Sequence, residues 1–588
     1  MAMTDRPRLL SWLLSAAFAA PAAAQQTPSA GDVLRNLPGM KAPAGPPPGP
    51  SASIEVTPQD RPAMRGIDGP GIDVKAFRIT GLSVVDEQPL LDMLASRIGP
   101  GRRFSDLQAA ADAVAEQLRA AGYFLAHAYL PAQQVSDGVV EIAVLEGRIG
   151  QVPAPRRHGE IAVSEAVVAS LLKALQPGTV IHERNIERAL FLLGDLRGVQ
   201  VRSVLQPGQV SGTADLLIEL SPPCSADSMA WPVRRRTDCR LEATVEADNL
   251  GSRYTGELRV GGSLTWNGPL RRGDSLTMRG MVTTSGELSF GRLAYLIPVG
   301  GWGSKVGAAY SSLNYRLGTD AFSELDAHGS AQVASFYATH PFARGRNFNL
   351  FATLAHDQRR LHDLIDAVGI VNHRALDSSQ LSLVGDSRDR WQGGGINNFS
   401  LGLTAGRLDI RTPDQLALDT ASGNRTQGSY TRWNAAFARL QALGPTLLGF
   451  VSATLQTSSK NLDRSEKLSA GGPDTVRAYA PGEAAADQVV VLTTELRFPV
   501  PMPQGSVIPG DVVGALFFDG SHGFVNKDPL PTDQHNRRTL RGAGFGLTWG
   551  RPDDFLVRAS LAWRLSDPPS GDPSDRLPRL HLQVSKSM

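Results

Sequence analysis

The chain has 588 residues, too many for one ordinary domain. Its formal net charge is +2, and no basic tract is interleaved with aromatics, which argues against nucleic acid as a partner. Its two cysteines, Cys224 and Cys239, have no histidine nearby and do not read as a metal site.

Residues 1–24 read as a secretory signal peptide. Arg6 and Arg8 lead an apolar run, Leu9 to Ala20, and Pro21 with Ala22, Ala23 and Ala24 supplies small residues for cleavage before Gln25. Past residue 24 no run of about eighteen apolar residues follows, so nothing later can cross a membrane as a helix. Two destinations remain open: a soluble protein beyond the inner membrane, or a β-barrel in an outer membrane.

Residues 25–71 form an N-terminal helix and proline-rich linker. Pro46-Pro47-Pro48-Gly49-Pro50 excludes helix and central strand. Only Gly31 to Leu37 has helical promise, about two turns before Pro38.

Residues 72–147 form a small α/β domain. Val74 to Ile79 predicts a strand. Ser105-Asp106-Leu107-Gln108 has the form of a capping box. Leu107, Ala111, Val114 and Leu118 then keep helical spacing up to Gly122. Phe124 to Leu130 and Val139 to Leu145 follow as strands. Residues 148–222 repeat the plan about 76 residues later. Helix Asn185 to Leu196 ends at Gly198 as its counterpart ends at Gly122, Pro207 matches Pro131, and Leu216, Ile218 and Leu220 match Val140, Ile142 and Val144. Each is a strand–helix–helix–strand–strand module.

Residues 223–238 are a linker bounded by Cys224 and Cys239. Beyond the inner membrane these cysteines are expected to form a disulfide around Arg234-Arg235-Arg236, worth roughly 3 kcal/mol in a chain-entropy picture.

From 239 to 588 the helical period gives way to alternation by two. Leu258, Val260, Gly262, Leu264 and Trp266 share one face, and Glu257, Arg259, Ser263 and Thr265 share the other. Ala543, Phe545, Leu547 and Trp549 alternate with Gly542, Gly544, Gly546 and Thr548. One greasy and one small or polar face suits a strand between lipid and a wet lumen. At about 22 residues per strand and connection, this length holds about sixteen antiparallel strands. Soluble sandwiches and propellers also alternate, but no blade repeat is present and the strands are long for a sandwich.

No enzyme signature emerges: there is no HExxH pair, GxSxG elbow or P-loop. The glycine-rich Gly542–Gly546 stretch lacks the strand and helix context of a phosphate loop. His356, His362 and His373 fit no metal spacing and read as a solvated loop. No cofactor is called for. One residue is harder to place. Arg477 lies in Gly471-Gly472-Pro473-Asp474-Thr475-Val476-Arg477-Ala478-Tyr479, a turn-rich stretch with no pattern of its own. A charge entering a barrel lumen needs a partner. Phe517 and Asp519 share a face of an alternating strand, and a lipid-facing Asp would be expensive, so an Arg477–Asp519 pair would staple the loop inside.

Lys467 to Pro499 resembles the loop and following strand of two-partner secretion transporters of the ShlB/FhaC/HecB type, relatives of the BamA-type insertases. Val476-Arg477-Ala478-Tyr479 matches three of the four residues of the family's VRGY motif. Phe517-Phe518-Asp519 matches the first part of FxDxG, with Ser521 where glycine is expected. Asp248 to Gly256, Tyr295 to Pro298, Tyr315 to Leu317 and His340 to Arg344 resemble barrel segments in the same order, and the two modules resemble paired POTRA domains. The resemblance implies α+β POTRA domains in the periplasm followed by a sixteen-stranded outer-membrane barrel. It implies a monomer among outer-membrane lipids that captures one large secreted protein, an adhesin, a haemolysin or similar, and exports it through its pore. It also pairs Arg477 with Asp519, and it keeps an assembly factor of the insertase kind as the alternative. Three departures stand out. Ala478 replaces glycine and would be strained at φ > 0. Met588 replaces a terminal aromatic. The short Gly31–Leu37 segment, followed by prolines, argues against the pore-plugging helix common in the family.

Overall fold

The computed structural model describes residues 28–35, 37, 53–56, 71–135, 137–222, 240–501, 509–531, 535–552, 554–566 and 577–588. The expected signal peptide and the Cys224–Cys239 pair lie outside the described residues.

Sixteen strands close into one barrel, from Leu241–Asp248 to Arg579–Ser587, and the last pairs antiparallel with the first. The chain end is tied in as well: the Met588 and Ala243 amides each donate to the other's carbonyl, at 2.8 and 3.1 Å. Alternation decides the faces. Val260, Leu264 and Trp266 are exposed on the second strand, Arg259–Asn267, while Arg259 is buried. Phe545 and Leu547 are exposed on the fourteenth, Arg537–Arg551.

One wall is taller than the rest. Strands six to nine, Ala327–Ala343, Phe348–Ile365, Ile370–Asp389 and Gly395–Ile410, have 16 to 20 residues. About 9–11 residues suffice to cross a bilayer, so this wall rises out of it. His356, His362 and His373 lie on its seventh and eighth strands, not in a solvated loop. The long strands simply continue through what sequence alone presents as polar connection.

The first module has a three-stranded sheet in the order Ala76–Thr80, Val139–Leu145, His127–Tyr129. Helices Gln88–Leu94 and Phe104–Ala120 cover it. The longer helix starts earlier than the expected capping box, because the Arg103 amide donates to the Asp106 carboxylate at 2.9 Å. Leu107, Ala111, Val114 and Leu118 form its buried stripe against Phe77, Ile142 and Val144.

The second module pairs Gln200–Pro207 with Thr213–Ser221 beneath helices Glu165–Leu172 and Glu183–Gly194. Its outer edge is not free. Residues Ser53–Val56 of the linker run parallel to Gln200–Pro207, in register from Ser53↔Arg202 to Val56↔Leu205.

This module sits against the barrel's turns at one end. Arg344 at the close of the sixth strand donates to both Asp195 carboxylate oxygens, at 2.9 and 2.7 Å. Its guanidinium lies near the rings of Phe191 and Phe351. Lys305 donates to the Asp195 carbonyl, and Arg188 to the carbonyl of Pro341. The second module therefore marks that end of the barrel, and the connection 459–487 belongs to the opposite end.

Candidate functional site

Between the eleventh strand, Leu448–Ser458, and the twelfth, Gln488–Pro499, the chain does not stay outside. Residues 459–487 fold back into the lumen. Val476, Ala478 and Tyr479 are fully buried there, packed with Val489, Val491, Phe517, Leu540 and Ala562 of the wall. The turn depends on two glycines. A Cβ at Gly471 would lie 2.9 Å from the Tyr479 Cβ and 2.8 Å from that of Glu483, and Gly472 has φ of 142°, a region glycine alone visits freely.

The fold brings Arg477 and Asp519 together. Asp519, on the thirteenth strand Asp511–Phe524, is fully buried. It accepts from Arg477 Nε at 2.9 Å, Nη2 at 2.8 Å and the Arg477 backbone amide at 3.1 Å. The Thr493 hydroxyl adds a further donor at 3.0 Å. Phe517 lies under the guanidinium, 3.4 Å from its carbon to the ring centroid. The Arg477 carbonyl meets His581 Nε2 at 2.8 Å, and the Tyr479 hydroxyl meets Ser566 Oγ at 3.1 Å. The loop tip thus touches five separate strands, the twelfth to the sixteenth, and one outer loop.

Sequence reasoning missed a second carboxylate. Glu495 holds Arg477 Nη1 at 2.8 Å. The signal was present, since Val491, Thr493 and Glu495 alternate on one strand face. It also missed the loop base. Glu466 pairs with Arg359 and Arg432, and Asp463 with Arg374. Arg359 and Arg374 lie about a hundred residues from these carboxylates and Arg432 lies 34 from Glu466, so the pairs carry no local signature. Ala478 is not strained: positive φ falls at Gly472, Gly482 and Ala484 instead.

The short helix expected within Gly31–Leu37 is present, and it lies in the lumen, where no plug was expected. Val33 and Leu34 of helix Ala30–Arg35, with Leu37 just beyond it, pack against inward residues Phe290, Leu313 and Tyr315. The Ala30 amide donates to Asp363 at 2.6 Å, and Arg35 to the Arg464 carbonyl at 2.6 Å. Asp32 pairs with Arg35 and with Arg464, each at 3.2 Å. Burial alone would raise the Asp32 carboxyl, but those two guanidiniums hold it well below the usual carboxylate range. The proline-rich sequence after residue 37 stops the helix without preventing it, because lumen contacts stabilise a helix too short to form alone.

The haemolysin secretion/activation protein model (ShlB/FhaC/HecB) matches residues 232–548, and the ShlB-type POTRA domain model matches residues 72–147. The chain belongs to the ShlB/FhaC/HecB family. The heme/hemopexin transporter HuxB of Haemophilus influenzae (strain 86-028NP) is 26% identical over 484 residues, 82% of this chain and 80% of that protein. The outer membrane transporter CdiB of Escherichia coli O6:K15:H31 is 23% identical, covering 85% of this chain and 80% of that one. The solved structure of CdiB from Escherichia coli matches with a TM-score of 0.68 at 20% identity, over 90% of this chain and 93% of that one, so the fold is shared. As a member of this family, the chain is an outer-membrane translocator of two-partner secretion that acts with a secreted partner protein and holds its POTRA modules in the periplasm.

Proposed function

We propose that this translocator serves one large exoprotein, an adhesin, haemolysin or similar, which enters as extended chain and folds outside. The signal peptide at 1–24 delivers the monomer, which is a channel and not an enzyme. The observation that carries this reading is the lumen itself: a loop and a short helix fill it, held by polar contacts that can be exchanged for those of a passing chain. The Arg477–Asp519–Glu495 cluster acts as the staple of that loop. Phe517 is its floor, and Gly471, Gly472, Val476 and Tyr479 shape and seat its tip.

Capture begins on the first module. An extended client adds a strand most readily to a free sheet edge. The Gln200–Pro207 edge of the second module is taken by Ser53–Val56, while among the described residues neither Ala76–Thr80 nor His127–Tyr129 carries an outer partner.

The test compares extracellular proteins with and without this gene. Loss of one large protein from medium and surface is expected and identifies the client. An unchanged exterior with depleted outer-membrane barrels would overturn the reading in favour of an insertase.

A further inference from the structure

Strands seven to nine of the tall wall, with the neighbouring tenth strand Gly428–Ala442, carry an outward-facing concavity of about 540 Å³, a volume typical of small-molecule sites. It opens on the lipid side. Its lining residues, half-buried His356 and exposed Asp377, Ser379, Arg407, Ser429 and Thr431, continue, along each strand, the same outward face as the apolar band below. Asp377 and Ser379 precede Leu381 and Leu383 on the descending eighth strand. Arg407 follows Leu401 and Leu403 on the rising ninth, and Thr431 precedes Trp433 on the descending tenth.

Depth decides what meets this groove. On the ninth strand the outward apolar face runs from Phe399 through Leu401 and Leu403, in step with Arg407. From Phe399 to Arg407 is about 26 Å of strand at ~3.3 Å per residue, or about 20 Å of height at a tilt near 40°. The apolar band of such barrels is about 25 Å tall. Arg407 therefore stands near the upper edge of that band, where the outward face turns from Leu403 and Trp433 to Ser429 and Thr431, and its long side chain reaches the level of outer-leaflet headgroups.

The chemistry at that level is specific. Arg407 and Asp377 are directly opposed in register, yet among the described residues neither forms an ion pair or a hydrogen bond through its side chain. Both are left facing the groove. His356 Nδ1 and Ser379 Oγ share a hydrogen bond of 3.0 Å, and Ser429 and Thr431 add hydroxyls. An unpaired guanidinium suits a phosphate, and a carboxylate with several hydroxyls suits the hydroxyl and amide protons of an amino sugar. Below them, Leu381, Leu401 and Trp433 offer apolar surface to acyl chains.

We propose that this groove is a binding site for the phosphorylated amino-sugar headgroup of an outer-leaflet glycolipid, with Arg407 on the phosphate and Asp377 on the sugar. The full mature chain in detergent would be examined by native mass spectrometry with bis-phosphorylated lipid A, dephosphorylated lipid A, phosphatidylglycerol and inorganic phosphate. Lipid A is expected to remain bound under activation that strips phosphatidylglycerol. Arg407→Glu should weaken its retention about tenfold, the scale of one lost charge-assisted contact. Arg316→Glu, at an exposed arginine on the fifth strand's outer end, should leave it unchanged. Equal retention by Arg407→Glu, equal binding of dephosphorylated lipid A, or an equal loss in Arg316→Glu would overturn the proposal. So would displacement of lipid A by millimolar inorganic phosphate, which would mark a free-anion site. Retained heat-modifiable migration of each variant would show that the barrel has folded.

Discussion

Arg477 and Glu495 meet at 2.8 Å on the inner wall, so the loop arginine is held by two carboxylates at once. This changes what single substitutions should do. Arg477→Ala removes every contact of the guanidinium and leaves buried Asp519 without its charge partner, a loss on the order of 3–5 kcal/mol for a buried pair. Asp519→Ala leaves Glu495 in place and should be milder. The double variant Asp519→Ala with Glu495→Ala should match Arg477→Ala, and adding Arg477→Ala to it should change little. Secretion of the client and protease access to residues 459–487 on intact cells would be measured. Full secretion by a normally abundant Arg477→Ala protein would remove the staple from the mechanism.

The Asp519 side of this pair was legible because alternation by two assigns a face to every strand residue. The same rule assigns Glu495 inward, but nothing in a single strand says which inward carboxylate an incoming loop will meet. The barrel, its strand number and the two modules were legible for the same reason: period and repeat are local properties. The plug was not. The short helix was readable but its seat was not, because what holds it in the lumen, Asp363 and Arg464, lies more than three hundred residues away. The occupied edge at Ser53–Val56 escaped similarly, since parallel pairing across about 150 residues leaves no sequence trace.

Ala478 explains a second expectation. Where the family motif has glycine, this chain has a methyl group, and a Cβ placed on Gly542 would stand 2.5 Å from it. Gly542→Ala should therefore push the loop tip off the wall. Overpacking of this kind costs about 1–3 kcal/mol. Ala478→Gly alone should be tolerated, and the double variant should recover loop protection against protease. A double variant as impaired as Gly542→Ala would show that the glycine serves something other than this contact.

At the periplasmic end, Arg344 and Asp195 form a bidentate pair buried between two aromatic rings. Breaking one side leaves the other charge stranded. Asp195→Ala should loosen the second module from the barrel, seen as faster proteolysis in the 148–222 region, while channel conductance through the barrel stays unchanged. Arg344→Asp with Asp195→Arg should restore part of the protection, because the site keeps one charge of each sign. If Asp195→Ala alters neither proteolysis nor secretion, the contact is not what positions the module.

Asp32 offers the most direct handle on the plug. It accepts from the Ser29 amide and hydroxyl, each at 3.0 Å, and binds Arg35 and Arg464. Asp32→Ala should free the helix and raise the open fraction of single channels in planar bilayers roughly tenfold, the scale of about 1.4 kcal/mol. Acid should not mimic the substitution. The two guanidiniums hold the carboxyl below its ordinary value of 3.8 despite its burial. Its contribution is thus fully present above the ordinary carboxylate range and is lost only as pH falls through the lowered value. Open probability at pH 5 should equal that at pH 7. A channel that opens between those values would mean that a different group releases the helix, and an Asp32→Ala channel that stays closed would mean that the apolar contacts of Val33, Leu34 and Leu37 hold it without the ion pairs.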